Sequence, residues 1–193
     1  EVDPGKVRRA YSLVPPLPPL DVVAPGNRFS FVLTLFGQGM DFLPYFILAV
    51  PEMGRTGVGP GRGRFDLEAV WAVDPFSRRI EAVVEPGSRL VRVPRTVIGS
   101  ESVERAASAL HPLLAEGAAL QLRFLTPTRL VEEEALVKMP DFGVFFQRLL
   151  HRIDQVAEQF AGAARRDPAE VAALQALADQ VRSDSELRAL VLE

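Results

Sequence analysis

The sequence predicts an α+β protein in which antiparallel strands pack with helices, and three patterns lead to this fold class. Residues 65–73 alternate apolar and polar side chains, as in a half-exposed strand. Residues 80–84 follow a turn and can return as the hairpin partner of that strand. Residues 141–162 repeat apolar side chains at helical spacing instead, so at least one long amphipathic helix accompanies the hairpin.

Residues 1–27 are predicted to form an extended arm. The proline-rich stretch 15–19 favours polyproline II, and residues 24–27 have the composition of a turn. A proline-rich ligand for a partner domain is one interpretation of the arm. An extended segment laid over the core is the favoured one.

A strand and a helix are predicted directly after the arm. Residues 28–37 are apolar on both faces, which favours a central strand. Residues 41–53 are apolar nearly all round, which predicts a buried helix with Gly54 past its end. Pro51 is expected to kink or shorten the last turn of that helix.

Further strands and helices are predicted after the hairpin. Further elements are expected at 88–93 (strand), 103–114 (helix, interrupted by Pro112), 120–124 (strand), 141–162 (helix, capped by Asp141 and ended by Gly162) and 168–193 (one or two helices). The predicted organisation is an arm (1–27), a β-α-glycine loop-β unit with an extra hairpin (28–116), and a second, partial β-α unit with a helical tail (117–193).

Composition limits the classes of function. The net charge of −3 argues against a strongly basic nucleic-acid binder but permits a local basic patch. No cysteine is present, so cysteine-based zinc sites are excluded, and we expect no metal and no cofactor. No apolar run reaches the ~20 residues that span a bilayer, so a cytoplasmic protein without a membrane partner is expected. Because the chain begins at Glu1, we expect it to be a fragment or a processed form.

A glycine-rich run between the predicted helix and the strand at 65–73 is the main candidate site. Dinucleotide and P-loop motifs leave a strand and open a helix, whereas this run has the opposite order, so nucleotide binding is excluded. The run can follow the phosphates of a polyanion, or it can be a tight connection with solvated arginines. The residues predicted to bind are Arg55, Gly57, Gly59, Gly61, Arg62, Gly63 and Arg64.

Titratable side chains give weaker candidates. His151 lies on the predicted exposed face of the last long helix with Arg148, Arg152 and Gln155, where a proton transfer beside phosphate is conceivable, although a solvated helix face is the favoured interpretation. His111 precedes Pro112 and is predicted to be structural. The acidic run at 132–134 reads as a solvated turn rather than a set of metal ligands.

Several motifs, taken in order, resemble one known family. They are Phe29-Ser-Phe-Val-Leu-Thr-Leu-Phe-Gly37, Leu43-Pro-Tyr-Phe46, Gly57-Val-Gly-Pro-Gly-Arg-Gly-Arg-Phe65, Leu122-Arg-Phe-Leu-Thr-Pro-Thr-Arg-Leu130, Pro140-Asp-Phe142 and the helix with Arg148, Leu149 and Leu150. Together they resemble the CRISPR-associated precursor-crRNA-processing endoribonucleases of the RAMP superfamily, over residues 11 to 162.

The resemblance implies ferredoxin-like, RRM-like units with a glycine-rich loop before the last strand of a unit. Either two such units begin at 28 and 118, or strands at 28, 65, 80 and 120 form one complete unit. It also implies metal-independent cleavage of CRISPR repeat RNA, with the glycine loop on the RNA backbone, but carries over no catalytic residue; His151 is a weak candidate. The alternatives are a non-catalytic RAMP subunit that binds crRNA or other CRISPR-associated proteins, and a structural ferredoxin-like assembly module.

Overall fold

The computed structural model describes residues 9–18, 20–116, 121–122, 124, 128–132, 134–137 and 142–181. Within these residues the protein is α+β, as predicted, with three two-stranded antiparallel pairs and four α-helices. The elements are β1 (Tyr11–Val14), β2 (Val32–Leu35), α1 (Leu43–Thr56), β3 (Val70–Val73), β4 (Ile80–Val84), α2 (Ser100–Ala115), β5 (Val131–Glu132), β6 (Ala135–Leu136), α3 (Phe142–Phe160) and α4 (Pro168–Asp179).

The chain divides into two compact units. Unit 1 contains the described residues of Glu1–Leu43 and of Phe124–Glu193, and unit 2 contains those of Pro44–Arg123. Unit 1 therefore combines an N-terminal strand pair with C-terminal helices. The sequence predicts two consecutive units instead, at 28–116 and 117–193. That organisation stays a prediction.

In unit 1, the arm takes part in a strand pair. β1 and β2 run antiparallel, with Tyr11 opposite Leu35 and Val14 opposite Val32. The N–H of Phe36 donates to the carbonyl of Ala10 at 2.8 Å and extends the ladder by one step. The arm is extended here, as predicted, but the sequence did not indicate that it pairs.

The helices of unit 1 pack through α3. This helix confirms the prediction at 141–162, although Asp141 lies outside the described residues, and it contacts α4 and the 3₁₀ segment Gly37–Phe42. Leu150 on its apolar stripe is buried. Arg166 joins the two helices, with a guanidinium nitrogen 3.2 Å from Asp154 on α3 and another 2.8 Å from Glu170 on α4.

Unit 2 is built on the β3–β4 hairpin, which confirms the predicted pairing of 65–73 with 80–84 over four residues of the first strand. Val83 and Val84 of β4 and Ile47 of α1 are its buried hydrophobic side chains among the described residues. One carboxylate oxygen of Glu81 accepts hydrogen bonds from the Arg95 N–H (2.9 Å), the Thr96 N–H (3.0 Å) and the Thr96 hydroxyl (2.9 Å). The bond from the Thr96 hydroxyl is the main reason that the pKa of Glu81 lies below its ordinary value.

The predictions at 88–93, 103–114 and 120–124 have separate outcomes. The helix predicted at 103–114 is confirmed as α2, which continues through Pro112 and has no buried residue. Of the strand predicted at 88–93, Val91 forms a single antiparallel bridge with Val84. Of the strand predicted at 120–124, Gln121, Leu122 and Phe124 are described and lie in no strand.

The prediction of a central strand at 28–37 is wrong in its extent. β2 covers only Val32–Leu35, and its one partner among the described residues is β1. A strand needs a hydrogen-bonding partner along its length, and β1 supplies four residues.

The prediction of a buried helix at 41–53 is also wrong in part. A 3₁₀ segment precedes α1, and α1 then continues through Pro51 as far as Thr56. Only Ile47 and Gly54 of α1 are buried, whereas Leu48 is 71% exposed. An all-round apolar pattern therefore predicted the helix correctly but not its burial.

No helix in the described part of the chain is long and apolar enough to cross a membrane.

Candidate functional site

The glycine loop, residues 57–64, is a closed hairpin between α1 and Phe65. The N–H groups of Val58 and Gly63 each donate to the carbonyl of the other at 2.9 Å. Inside this pair, the Arg62 N–H donates to the carbonyl of Gly59 at 3.1 Å and forms a turn. The loop is therefore ordered by its main chain alone.

Two glycines are required by close backbone approach. A Cβ atom on Gly54 would lie 2.0 Å from the carbonyl oxygen of Phe65. A Cβ atom on Gly57 would lie 2.4 Å from the carbonyl oxygen of Arg62, and Gly57 also has φ +88°. These contacts seat the hairpin on the C-terminal turn of α1 and fix where its tip lies.

The tip of the loop is open. No atom lies within 4 Å of a Cβ placed on Gly61, and the φ of Gly61 is not positive, so the fold does not require glycine there. The N–H groups of Gly59 and Gly61 donate to no group in the described part of the chain. Two backbone donors therefore remain available on a surface without side-chain cover.

The three arginines of the predicted site are not equivalent. Arg55 is paired with Glu52, with Nη2 2.7 Å from one carboxylate oxygen and Nε 3.1 Å from the other. This hydrogen bonding lowers the pKa of Glu52 and raises that of Arg55. Arg62 and Arg64 are exposed and form no ion pair within the described residues. Only these two arginines leave their charge available to a ligand.

The sequence analysis missed Glu52 because it lies outside the glycine-rich run. Its position three residues before Arg55 on a helix is the signal that could have found the pair. A shallow groove between the C-terminal half of α1 and the loop was not predicted from the sequence either. The groove is lined by Ala49, Glu52, Met53, Thr56, Gly57 and Val58.

The basic face of α3 is only partly as predicted. His151 and Arg152 are exposed, and a ring nitrogen of His151 lies within hydrogen-bonding distance of the Gln155 amide. Arg148 is half-buried instead, and its Nε atom is buried without a partner in the described residues. Arg148 therefore does not belong to a solvated face, because its turn of the helix is partly covered.

The remaining titratable candidates form no assembled site. His111 lies exposed on α2 beside Ala107 and Ser108. Glu132 lies in β5, Glu134 lies in the turn before β6 with φ +66°, and Glu133 lies outside the described residues. In the part of the chain that is described, no group of three His, Cys, Asp or Glu side chains could hold a metal ion.

The chain was compared with known protein families, curated proteins and solved structures. A family model named AF_1859_N and described as an N-terminal domain matches residues 3–96, slightly less than half of the chain. The matched segment contains the glycine loop and the β3–β4 hairpin and ends shortly before α2. No curated protein and no solved structure matches this chain.

Proposed function

We propose that this protein binds RNA through the glycine loop and acts in the processing of CRISPR precursor RNA. Arg62 and Arg64 contact phosphates, and the N–H groups of Gly59 and Gly61 donate to phosphate oxygens. Other CRISPR-associated subunits are the proposed protein partners. No metal is needed for this binding, because arginines and amides supply the positive charge and the donors.

The observation that carries the proposal is a closed hairpin with unpaired cations and donors. Arg62 at the tip and Arg64 directly after the closing pair form no ion pair with a described residue, and the N–H groups of Gly59 and Gly61 donate to none. A simple connection between a helix and a strand has no need for glycine at position 61, where the backbone is unstrained and the space around it is open. A phosphate chain that approaches the backbone closely gives a reason for glycine at position 61, since any side chain there would obstruct the approach.

The proposed fold is ferredoxin-like, as in the RAMP superfamily. The order of β2, α1, β3 and β4, with the last two strands forming an antiparallel hairpin, agrees with the β-α-β-β portion of such a unit. The glycine loop follows α1 and precedes β3, which would be the last strand of the first unit if two units begin at 28 and 118. One complete unit and two partial units both also need a strand near 120, where Gln121, Leu122 and Phe124 lie in no strand.

The loop supports binding rather than chemistry. RNA cleavage by an adjacent 2′-hydroxyl needs a group that accepts a proton and a group that donates one. Arginine stays protonated at any physiological pH, and glycine and proline have no titratable side chain. Cleavage would therefore depend on a residue outside the loop, with His151 the candidate, and a non-catalytic subunit that binds crRNA remains the second proposed function.

RNA binding is tested with a double substitution in the loop and a matched double substitution elsewhere. We expect R62A/R64A to weaken binding of CRISPR repeat RNA by about tenfold or more, because two phosphate contacts are lost. The slope of log K against log salt should fall in magnitude by about 1.4, since each contact on a single strand contributes about 0.7. Fluorescence anisotropy over a series of salt concentrations measures both quantities.

The control is R78A/R79A, which removes the same charge from the exposed turn of the β3–β4 hairpin in the same unit. This variant should change the affinity by less than about twofold, because no unbonded glycine amides accompany those arginines. Equal losses in the two variants would mean that only net charge matters. An unchanged affinity in R62A/R64A would refute the proposed function of the loop.

Catalysis is tested separately, by incubating the full chain with repeat RNA in the presence of a metal chelator. If His151 transfers a proton, the H151A variant should cleave at least about a hundredfold more slowly while binding RNA normally. Gel analysis of the cleavage products gives the rate. Cleavage at the wild-type rate would remove His151 from the reaction, and binding without any cleavage would favour the non-catalytic function.

A further inference from the structure

The groove beside the glycine loop is lined mainly by apolar groups, and the loop that borders it carries Arg62 and Arg64. Met53 is 52% exposed and Val58 is 42% exposed, and Ala49 lies one turn of α1 before Met53. Glu52 is the one acidic side chain in the lining, and its carboxylate is held by Arg55 at 2.7 Å. The groove therefore offers apolar contact without an uncompensated negative charge.

The groove and the basic tip are continuous. Gly57 and Val58 line the groove, and both are in direct backbone contact with the tip of the hairpin. A Cβ on Gly57 would lie 3.1 Å from the Cα atom of Arg62, and Val58 shares two hydrogen bonds with Gly63, the residue before Arg64. The backbone of Arg62 therefore lies beside the groove, and Arg64 follows the residue that bonds to Val58.

We propose that the groove receives the base of an unpaired nucleotide whose flanking phosphates lie on Arg62 and Arg64. The inference rests on the proposed function, since it assumes RNA at the loop. The choice of occupant follows from chemical complementarity. Phosphates suit Arg62 and Arg64, and an apolar face suits Met53 and Val58. A nucleotide has phosphates and a base with an apolar face. Inorganic polyphosphate would satisfy the arginines and leave the groove empty.

An unpaired base is required because bases inside a duplex are stacked on both faces. Only a base in a single strand, loop or bulge can turn its face toward a protein surface. The glycine loop should therefore prefer single-stranded RNA to duplex RNA. Arginines alone would give no such preference, since both forms present phosphates.

The experiment compares two glutamine substitutions on α1. M53Q replaces an apolar side chain of the groove by a polar one of similar size and similar helix propensity. L48Q makes an equivalent change on the same helix at an exposed position outside the groove. A49L is a second groove variant, which fills the space with a good helix former instead of changing its polarity.

Two RNA probes are used with the full chain, a short oligouridine and the same oligomer with abasic ribose at every position. M53Q and A49L should each weaken oligouridine binding by about threefold to tenfold, while L48Q leaves it unchanged. None of the three should alter binding of the abasic oligomer. The wild-type protein should bind oligouridine more tightly than the abasic oligomer by a similar factor.

The outcomes separate this inference from the proposed function. If R62A/R64A weakens both probes while M53Q and A49L behave like L48Q, the loop binds phosphate and the base groove is refuted. If the wild-type protein binds both probes equally, the base groove is refuted without reliance on any variant. If R62A/R64A changes neither probe, the proposed function fails, and the groove inference fails with it.

Discussion

In unit 2, the glycine loop and the turn Asp74–Arg79 each carry two exposed arginines, and in each an arginine has a positive φ, 48° at Arg62 and 58° at Arg78. Side-chain hydrogen bonds organise the turn. The Asp74 carboxylate accepts from the Phe76 N–H at 2.9 Å and from the Ser77 hydroxyl at 2.6 Å. The glycine loop has no side-chain bond of this kind and is closed by its backbone.

The two loops therefore differ in the donors that they leave unbonded. The turn uses its polar groups internally, since the Asp74 carboxylate bonds to the Phe76 N–H and the Ser77 hydroxyl. The glycine loop is closed by two reciprocal backbone bonds between Val58 and Gly63 and by one from the Arg62 N–H to the Gly59 carbonyl. Its remaining tip amides and its two arginines have no partner among the described residues. A loop that is held by its main chain keeps its remaining donors for a partner.

The largest effect should come from the backbone contact that holds the glycine loop. G57A places a Cβ at positive φ and into the carbonyl of Arg62, so the free energy of unfolding of unit 2 should fall by about 2 kcal/mol or more. Urea unfolding followed by the fluorescence of Trp71 reports on this unit, because Trp71 is the single tryptophan and lies in β3.

The control for G57A is G61A, four residues away at the open tip. It should change the free energy of unfolding by less than about 0.5 kcal/mol, because no strain or clash is introduced. Equal destabilisation by the two variants would show that the loop is not seated as described. The distinction between a glycine loop closed by its backbone and an Asp74–Arg79 turn closed by side chains would then be unsupported.

A smaller, pH-dependent effect should appear in the Asp74–Arg79 turn. The pKa of Asp74 is lowered, first by the Ser77 hydroxyl and then by the Phe76 N–H. A lowered pKa means that the carboxylate stabilises the folded state above its unfolded-state pKa of about 3.9, and that this contribution is lost as the pH falls through the folded-state pKa. Trp71-monitored unfolding at a series of pH values should therefore show a smaller loss below about pH 4 in D74N than in the wild type.

Asp66 provides the matched control, since it is exposed in the same unit and its side chain forms no hydrogen bond with a described residue. D66N should retain the wild-type dependence on pH. If D74N and D66N behave alike, the hydrogen bonds of Asp74 do not organise the turn. The glycine loop contains no carboxylate, so its closure should be insensitive over the same range.

The sequence predicted those parts of the fold that depend on local periodicity. α3 and the β3–β4 hairpin are long or regular enough for the apolar pattern to define them, and the glycine loop was located by composition alone. The pairing of Tyr11–Val14 with β2 could not be predicted, because four residues carry too little periodicity to indicate a partner about twenty positions away. The burial of α1 depends on which elements cover it, and composition does not contain that information.

For the candidate site, the sequence indicated a segment but treated its residues as equivalent. The structure separates Gly57, which the backbone requires, from Gly61, which it does not require. The structure also separates Arg55, which forms an ion pair with Glu52, from Arg62 and Arg64. Whether each glycine is required, and whether each arginine is paired, depends on distances of a few ångströms to other residues. The composition of the segment does not contain those distances.

The closure of the hairpin by Val58 and Gly63 also bears on how recognition can diversify. The residues that fix the frame, Gly54 and Gly57, lie below the closing pair, whereas Pro60 and Gly61 lie above it. A substitution at Gly61 changes the exposed surface without strain or a clash, whereas Gly59 has a φ of +74° and favours glycine. Natural or laboratory selection can therefore vary the surface at Gly61 while the framework stays constant.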